Sequence, residues 1–210
     1  MDIDSVLRAL AAKRPVFHSE ADFQHALAWE VRANNPEINV RLEVPTFLKN
    51  QARAFIDFLT RHNGQTTFFE LKYKTLATNL EHEGEIFNLK NQGAQDQGSY
   101  DFLKDLTRIE SFVEATPNSS GYAIMLSNDP KYWTARRKVN PIDADFQLLD
   151  GRILSGTLAW AKHAGIGSIN GREPAIILRR NYPIRWLPFS ELNSPGIASF
   201  RYLCLHIAPD

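Results

Sequence analysis

ARAFIDFLTRHNGQTTFFELKY, residues 52–73, decides how this chain folds. The two ends of the stretch, 52–60 and 66–73, are rich in aromatic and β-branched residues, which is typical of β-strands. Between them lies Asn63-Gly64, a dipeptide that favours a type I′ turn because both central residues of that turn need a positive φ. The stretch therefore predicts a tight β-hairpin in which His62 pairs with Gln65.

The register of this hairpin brings charged residues together. If His62 pairs with Gln65, Asp57 lies directly opposite Glu70, with Cβ atoms about 4.5–5.5 Å apart. Two carboxylates so close repel each other unless a positive charge lies between them, and a hard divalent cation such as Mg²⁺ would satisfy both. Side chains alternate along a strand, so Lys72 shares the face of Glu70. We expect Lys72 to orient a metal-activated water and to offset charge on a phosphate.

A third carboxylate comes from a predicted helix that begins at Ser19 and ends at 34–36. Counting about 100° per residue, Glu20 falls within the apolar arc from Phe23 to Val31 rather than on the solvent side. An inward glutamate needs a partner, and a metal ion, Lys72 or a hydrogen-bond donor would supply one. As an alternative, a glutamate in the first turn complements the helix dipole with no metal at all.

The rest of the chain predicts a mixed α/β (α+β) fold. A second amphipathic helix over 99–115 has an apolar stripe, with Lys104, Asp105 and Arg108 on the opposite face. We expect a central sheet with helices on its faces, a core of about 16–129 and a β-rich C-terminal extension of about 130–210, in one domain. Further helices are predicted at 4–12 and 156–164, a polar loop or lid at 75–98, and strands at 38–47, 121–129, 175–180, 184–189 and 200–207.

Composition limits the classes of partner. The 210 residues carry 24 basic and 24 acidic side chains, so the formal net charge is zero. Proteins that grip nucleic acid without discrimination usually have a basic excess, so any contact with DNA or RNA must use a local basic surface. The candidates for that surface are Lys74, Lys90, Lys104, Arg108 and the run Arg136-Arg137-Lys138.

The cellular compartment follows from what the sequence lacks. Cys204 is the only cysteine, so no internal disulfide forms and a reducing compartment is expected. The first residues do not resemble a signal peptide, and no apolar run reaches the length of a membrane span. The chain is therefore expected to be cytoplasmic, with no membrane partner.

Asp57 followed by Glu70-Leu71-Lys72 resembles the signature of the PD-(D/E)XK nuclease superfamily, the restriction-endonuclease-like proteins. The predicted order over 19–128, helix, three strands, helix and strand, is similar to the αβββαβ core of that superfamily. One departure is Ile56, where many members have proline. The resemblance covers about half of the chain and leaves 130–210 unexplained.

This resemblance implies a role for each matching residue. Asp57, Glu70 and the Leu71 carbonyl would bind Mg²⁺, with Mn²⁺ as a substitute, and Lys72 would assist the attacking water. Glu20 matches the helix glutamate of many members. Some members also have a glutamine near the start of the second core helix, a part that Gln95 or Gln97 would play, and DNA is the expected substrate on the resemblance alone. Lys74, Gln97 and Lys104 are taken as the nucleic-acid contacts.

The expected function is therefore metal-dependent hydrolysis of phosphodiester bonds. The alternative is an inactive nuclease-like fold that binds nucleic acid or a protein partner. A further alternative is an assembly protein whose C-terminal strands form the interface of a homodimer.

Overall fold

The computed structural model describes residues 1–47, 53–135, 139–192 and 199–208. The described helices are α1 Ile3–Lys13, α2 Glu20–Asn34, α3 Gln95–Ala115 and α4 Ile166–Ile169, with short 3₁₀ turns at Pro130–Tyr132 and Ala144–Phe146. The described strands are β1 Asn39–Phe47, β2 Arg53–His62, β3 Gln65–Lys74, β4 Thr78–His82, β5 Glu85–Leu89, β6 Ser119–Ser127, β7 Ile153–Leu158, β8 Ile176–Pro183, β9 Trp186–Glu191 and β10 Ser199–Ile207.

A six-stranded mixed sheet runs through the centre in the order β1-β2-β3-β6-β10-β9. The β3–β6 pair is parallel, and the other neighbouring pairs are antiparallel. Strands β4 and β5 form a separate hairpin, and β7 pairs with β8. The predicted α+β class with a central mixed sheet is confirmed.

The local signals around the central hairpin act as predicted. Asn63 and Gly64 both have positive φ, 48° and 74°, as the type I′ turn requires. The Ser19 side chain accepts the N–H of Asp22 and caps α2, which ends at Asn34. The turn sets where β2 ends and β3 begins, and the cap sets where α2 begins.

Helices cover both faces of the sheet. One apolar layer packs α1, α2 and the β4–β5 hairpin against the sheet, and it includes Phe69, Leu71 and Tyr73 of β3. The other layer packs α3 and the β7–β8 pair, and it includes Phe68. Strand alternation therefore directs Glu70 toward the α3 side.

Two sequence predictions are wrong. The helix expected at 156–164 is absent from the described chain, because Ile153–Leu158 pairs with β8, with an irregular step next to Gly156 at φ 68°. The loop or lid expected over 75–98 holds the β4–β5 hairpin, which turns at Glu83 and Gly84 with φ of 52° and 80°. Helix α3 already begins at Gln95, one turn earlier than the apolar stripe indicated.

Two strands after residue 130, β9 and β10, belong to the central sheet. Strand β10 lies between β6 and β9, so the predicted extension completes the central sheet in addition to forming β7 and β8. A dimer interface on these strands stays a prediction. Among the residues described here, no helix has the length and apolarity needed to cross a bilayer.

Candidate functional site

Asp57 lies where β2 stops pairing with β3. The ladder runs from His62–Gln65 to Phe58–Phe69, so the predicted register is confirmed, and it ends one pair before Asp57 and Glu70. In place of the next ladder bond, the Asp57 carboxylate accepts the N–H of Leu71 at 2.6 Å. The sheet therefore opens at the position where the sequence places the candidate site.

The other neighbour of β2 is irregular at the same point. Pairing of β1 with β2 passes from Leu42–Phe58 to Val44–Ile56, and Glu43, between them, has a φ of 47°. The Gln24 side chain of α2 donates to the Asp57 carbonyl at 2.5 Å and to Glu43 Oε1 at 2.7 Å. Gln24, which is buried, thus anchors the Asp57 peptide to the helix. Its position one turn after Glu20 is the sequence signal for this role.

Glu20 accepts the next backbone N–H of β3 that β2 does not pair with. Its Oε2 accepts the N–H of Tyr73 at 2.8 Å. Leu71 and Tyr73 are two residues apart, so their N–H groups lie on the same edge of β3, the edge that β2 has left. Asp57 and Glu20 each use one oxygen in this way, and within the described ranges their other oxygens, Asp57 Oδ1 and Glu20 Oε1, accept no hydrogen bond.

Glu70 is held by an arginine. Arg108 of α3 donates from Nε to Glu70 Oε1 at 2.9 Å, and its Nη2 lies 2.6 Å from Oε2. Glu70 is only 2 % exposed. Burial raises the pKa of Glu70 to about 8, and the negative charge of Asp105 adds to this shift while Arg108 opposes it.

Lys72 is held by an aspartate of the same helix. Its Nζ lies 2.5 Å from Asp105 Oδ2, and Asp105 Oδ1 lies 2.9 Å from Arg108 Nη2. Burial lowers the pKa of Lys72, but the charges of Asp105, Glu20 and Asp57 outweigh burial and leave this pKa raised. Lys72 is therefore an ammonium at physiological pH, able to donate a proton in a hydrogen bond and unable to accept one.

This cluster has an excess of negative charge. When all its groups are ionised, four carboxylates face two cations, leaving two negative charges without a partner of opposite sign. Burial raises the pKa of Asp57 to about 6, and the nearby charges of Glu20 and Asp105 add to the shift. Its members are Glu20, Asp57, Glu70, Asp105, Lys72 and Arg108.

The carboxylates of this cluster are of the kind that binds a hard divalent cation. In this structure they contact backbone N–H groups, Lys72 and Arg108. Carboxylate oxygens are the ligands that Mg²⁺ and Mn²⁺ prefer, and one such ion would balance the excess charge. In the part of the chain that is described, no group of three or more His, Cys, Asp or Glu side chains is placed to hold a metal ion. Glu70, turned to Arg108, is the carboxylate that would have to change partner.

The placement of Asp105 and Arg108 corrects a prediction. Both were expected on the solvent face of the second helix, and both instead lie against β3, with side chains 10 % and 21 % exposed. Asp105 flanks the apolar stripe and so reaches Lys72 across the helix–sheet interface. Lys104, the third residue expected on that face, is exposed.

Two of the predicted nucleic-acid contacts line the same cavity. Lys74 and Gln97 line a small cavity of about 120 Å³ together with Asp101 and Arg172. Gln97 donates to the carbonyls of Gly167 and Ser168, which ties it to α4. The contact role of Lys74, Gln97 and Lys104 stays a prediction. The run 136–138 lies outside the described residues, and Lys90 is exposed.

Comparison with known proteins gives no assignment. No family model matches the chain, and no curated protein or solved structure matches it significantly. A function therefore has to be inferred from the chain's own residues.

Proposed function

We propose that this protein is a divalent-metal-dependent nuclease that hydrolyses phosphodiester bonds, with DNA as the expected substrate. The observation that carries the proposal is the mostly buried cluster around Lys72, in which four carboxylates lie with only two cations and which has two unbalanced negative charges when all its groups are ionised. A protein that buries carboxylates without enough cations lowers its stability, and such an arrangement is a mark of functional sites. One divalent cation would neutralise the excess.

The order of elements supports the same proposal. Helix α2, strands β1, β2 and β3, helix α3 and strand β6 follow each other as the PD-(D/E)XK resemblance implies, with the β4–β5 hairpin inserted after β3. The three matching residues Asp57, Glu70 and Lys72 lie at the centre of this arrangement. We infer a restriction-endonuclease-like core on these grounds.

Asp57 and Glu20 would hold the ion through the oxygens that the backbone does not use, together with the Leu71 carbonyl and Glu70. A bound divalent cation polarises a phosphoryl oxygen and lowers the pKa of water beside it. Asp57 has to be ionised for this role, so binding weakens as the pH falls through its pKa of about 6.

Lys72 supplies a fixed positive charge. Because its pKa is raised, it stays protonated while the phosphate gains negative charge, and it stabilises that charge as a hydrogen-bond donor. It does not act as the base that takes the proton of water. Asp105 positions the ammonium from α3 and so sets where this charge acts.

The direct test is nicking of supercoiled plasmid in Mg²⁺ or Mn²⁺ by the wild-type chain and by Asp57→Ala and Lys72→Ala. A matched control is Lys162→Ala, which removes an exposed lysine. We expect nicking by wild type and by the control, and its loss in the two site variants. Equal nicking by all four proteins would identify a contaminant and overturn the proposal.

A second candidate function is binding without cleavage. It is favoured by the ion pairs of Glu70 with Arg108 and of Lys72 with Asp105, which satisfy both groups without a metal. Such a protein would shift a labelled DNA duplex in a gel equally well with Mg²⁺ and with a chelator, and it would leave the plasmid intact.

A further inference from the structure

We propose that Arg108 is the resident counter-ion of Glu70 and that a divalent cation takes its place at that carboxylate. This exchange presupposes the metal site proposed above. It makes Arg108 a positioning residue, because the guanidinium decides when Glu70 is available as a ligand.

The geometry at Glu70 points to exchange. The guanidinium approaches both carboxylate oxygens at once, through Nε and Nη2, which is the strong two-bond arrangement of arginine with a carboxylate. Glu70 is almost completely buried, so no solvent screens a second cation placed beside this pair. A divalent ion at the same oxygens would lie within a few ångströms of the guanidinium and repel it strongly.

Arg108 has a second acceptor within reach. Its Nη2 already lies 2.9 Å from Asp105 Oδ1, so the guanidinium can leave Glu70 and keep a partner. Asp105 would then contact both Lys72 and Arg108, and one of these two positive charges would remain to face the other carboxylates. The released Glu70 would join Asp57 and Glu20 as a ligand. The two charges of the divalent ion, added to those of Lys72 and Arg108, would then balance the four carboxylates of the cluster.

The exchange predicts how an arginine substitution affects metal affinity. If Arg108 competes with the ion for Glu70, removal of Arg108 strengthens metal binding. If Arg108 only stabilises the fold, its removal weakens metal binding or leaves it unchanged. A matched control is Arg172, which makes the same two-bond contact with Asp101 at 2.7 Å, one helical turn from Asp105.

The experiment measures Mn²⁺ binding by electron paramagnetic resonance at pH 8 for wild type, Arg108→Met and Arg172→Met. We expect Arg108→Met to bind about tenfold more tightly or better, within the range of typical coupling between linked sites, and Arg172→Met to match wild type. Binding by folded Arg108→Met that is no tighter than wild type overturns the exchange alone. Absence of Mn²⁺ binding in all three proteins overturns the proposed metal site and the exchange with it.

A measurement on the wild-type chain covers the case in which Arg108→Met does not fold. The Nε–H proton of Arg108 is followed by nitrogen-15 NMR, assigned from its loss in Arg108→Lys, during a Mg²⁺ titration. We expect this resonance to move away from its hydrogen-bonded position as the site saturates. A resonance that stays in place while those of Asp57 and Leu71 shift would show that Glu70 keeps its arginine, and the exchange would be wrong.

Discussion

Lys72 Nζ lies 2.5 Å from Asp105 Oδ2, and the two side chains are 17 % and 10 % exposed. The strand thus provides the ammonium and helix α3 provides its counter-ion. Removing either partner from a pair this deep leaves a charge in a poorly solvated place, which costs more than the loss of the contact itself. Stability and activity at this pair can therefore be separated by substitution.

Lys72→Met should lower plasmid nicking by about 10²–10³-fold, the size of effect seen when one donor to a transition state is removed. It should also lower the free energy of unfolding by about 3–5 kcal/mol, because Asp105 loses the nearer of its two cationic partners and keeps only Arg108. The double variant Lys72→Met/Asp105→Asn should regain much of that stability in urea unfolding and none of the nicking. Recovery of nicking by the double variant would contradict the role given to Lys72.

Asp57→Asn should weaken Mn²⁺ binding by about 100-fold or more, because losing a residue that only supports a metal ligand already costs about 10–100-fold. The amide oxygen can still accept the N–H of Leu71, so we expect no loss of folding stability. The matched control is Asp145→Asn, because Asp145 accepts the N–H of Ala159 at 3.1 Å away from the cluster. Calorimetric titration with Mn²⁺ measures the difference, and unchanged affinity in Asp57→Asn would remove Asp57 from the metal site.

The stability of the metal-free protein should respond to pH through Asp57. Its pKa is 3.8 in the unfolded reference and about 6 in the folded chain, so the folded state binds the proton more tightly. Folding stability from this group is fully present below about pH 4 and is lost as the pH rises through 6, by up to about 3 kcal/mol.

Urea unfolding of wild type and Asp57→Asn at several pH values isolates this contribution. Wild type should lose stability relative to the variant between pH 4 and 6, and the difference should then level off. Saturating Mg²⁺ should reduce the loss, because the ion favours the ionised carboxylate. If wild type instead gained stability relative to Asp57→Asn as the pH rises, the raised pKa of Asp57 would be contradicted.

Gly121→Ala should destabilise the contact between α3 and β6. A Cβ at Gly121 would lie 2.1 Å from Cγ2 of Ile109, a side chain buried in the layer that positions α3. Overpacking of this kind costs about 1–3 kcal/mol, or roughly 2–4 °C in Tm for each kcal/mol in a chain of this size. Gly167→Ala, where a Cβ meets open space, is the control and should leave Tm unchanged. Equal melting of both variants in thermal denaturation would contradict this packing.

The parts of the fold that the sequence predicts are those set by neighbouring residues. The turn at Asn63-Gly64 depends on the φ that each residue can adopt, and it fixes the register of β2 and β3 by itself. The start of α2 depends on one side-chain bond from Asp22 to Ser19. Both can be inferred without knowledge of distant partners, and both bring Asp57 and Glu70 to adjoining strands.

The second half of the site depends on contacts between distant residues. Arg108 meets Glu70 across 38 residues, and a helical pattern alone directs a charged side chain to solvent. The error at 156–164 has a similar cause, since the helix-forming residues there are overridden by pairing with β8. Sequence periodicity describes one element at a time, whereas these outcomes follow from which elements pack together.

Helix α3 is fastened at both ends. Gln95 donates to the buried Asp129 carboxylate at 2.6 Å in the first turn, and Glu110, two residues after Arg108, accepts the hydroxyl of Tyr182 at 2.7 Å. A helix held at two points does not shift along its axis, so rearrangements on its surface are rotations of side chains. Movement of whole packed elements, in contrast, takes microseconds to milliseconds. The exchange proposed at Glu70 would then need rotation of side chains alone, and α3 would keep its position while an ion binds.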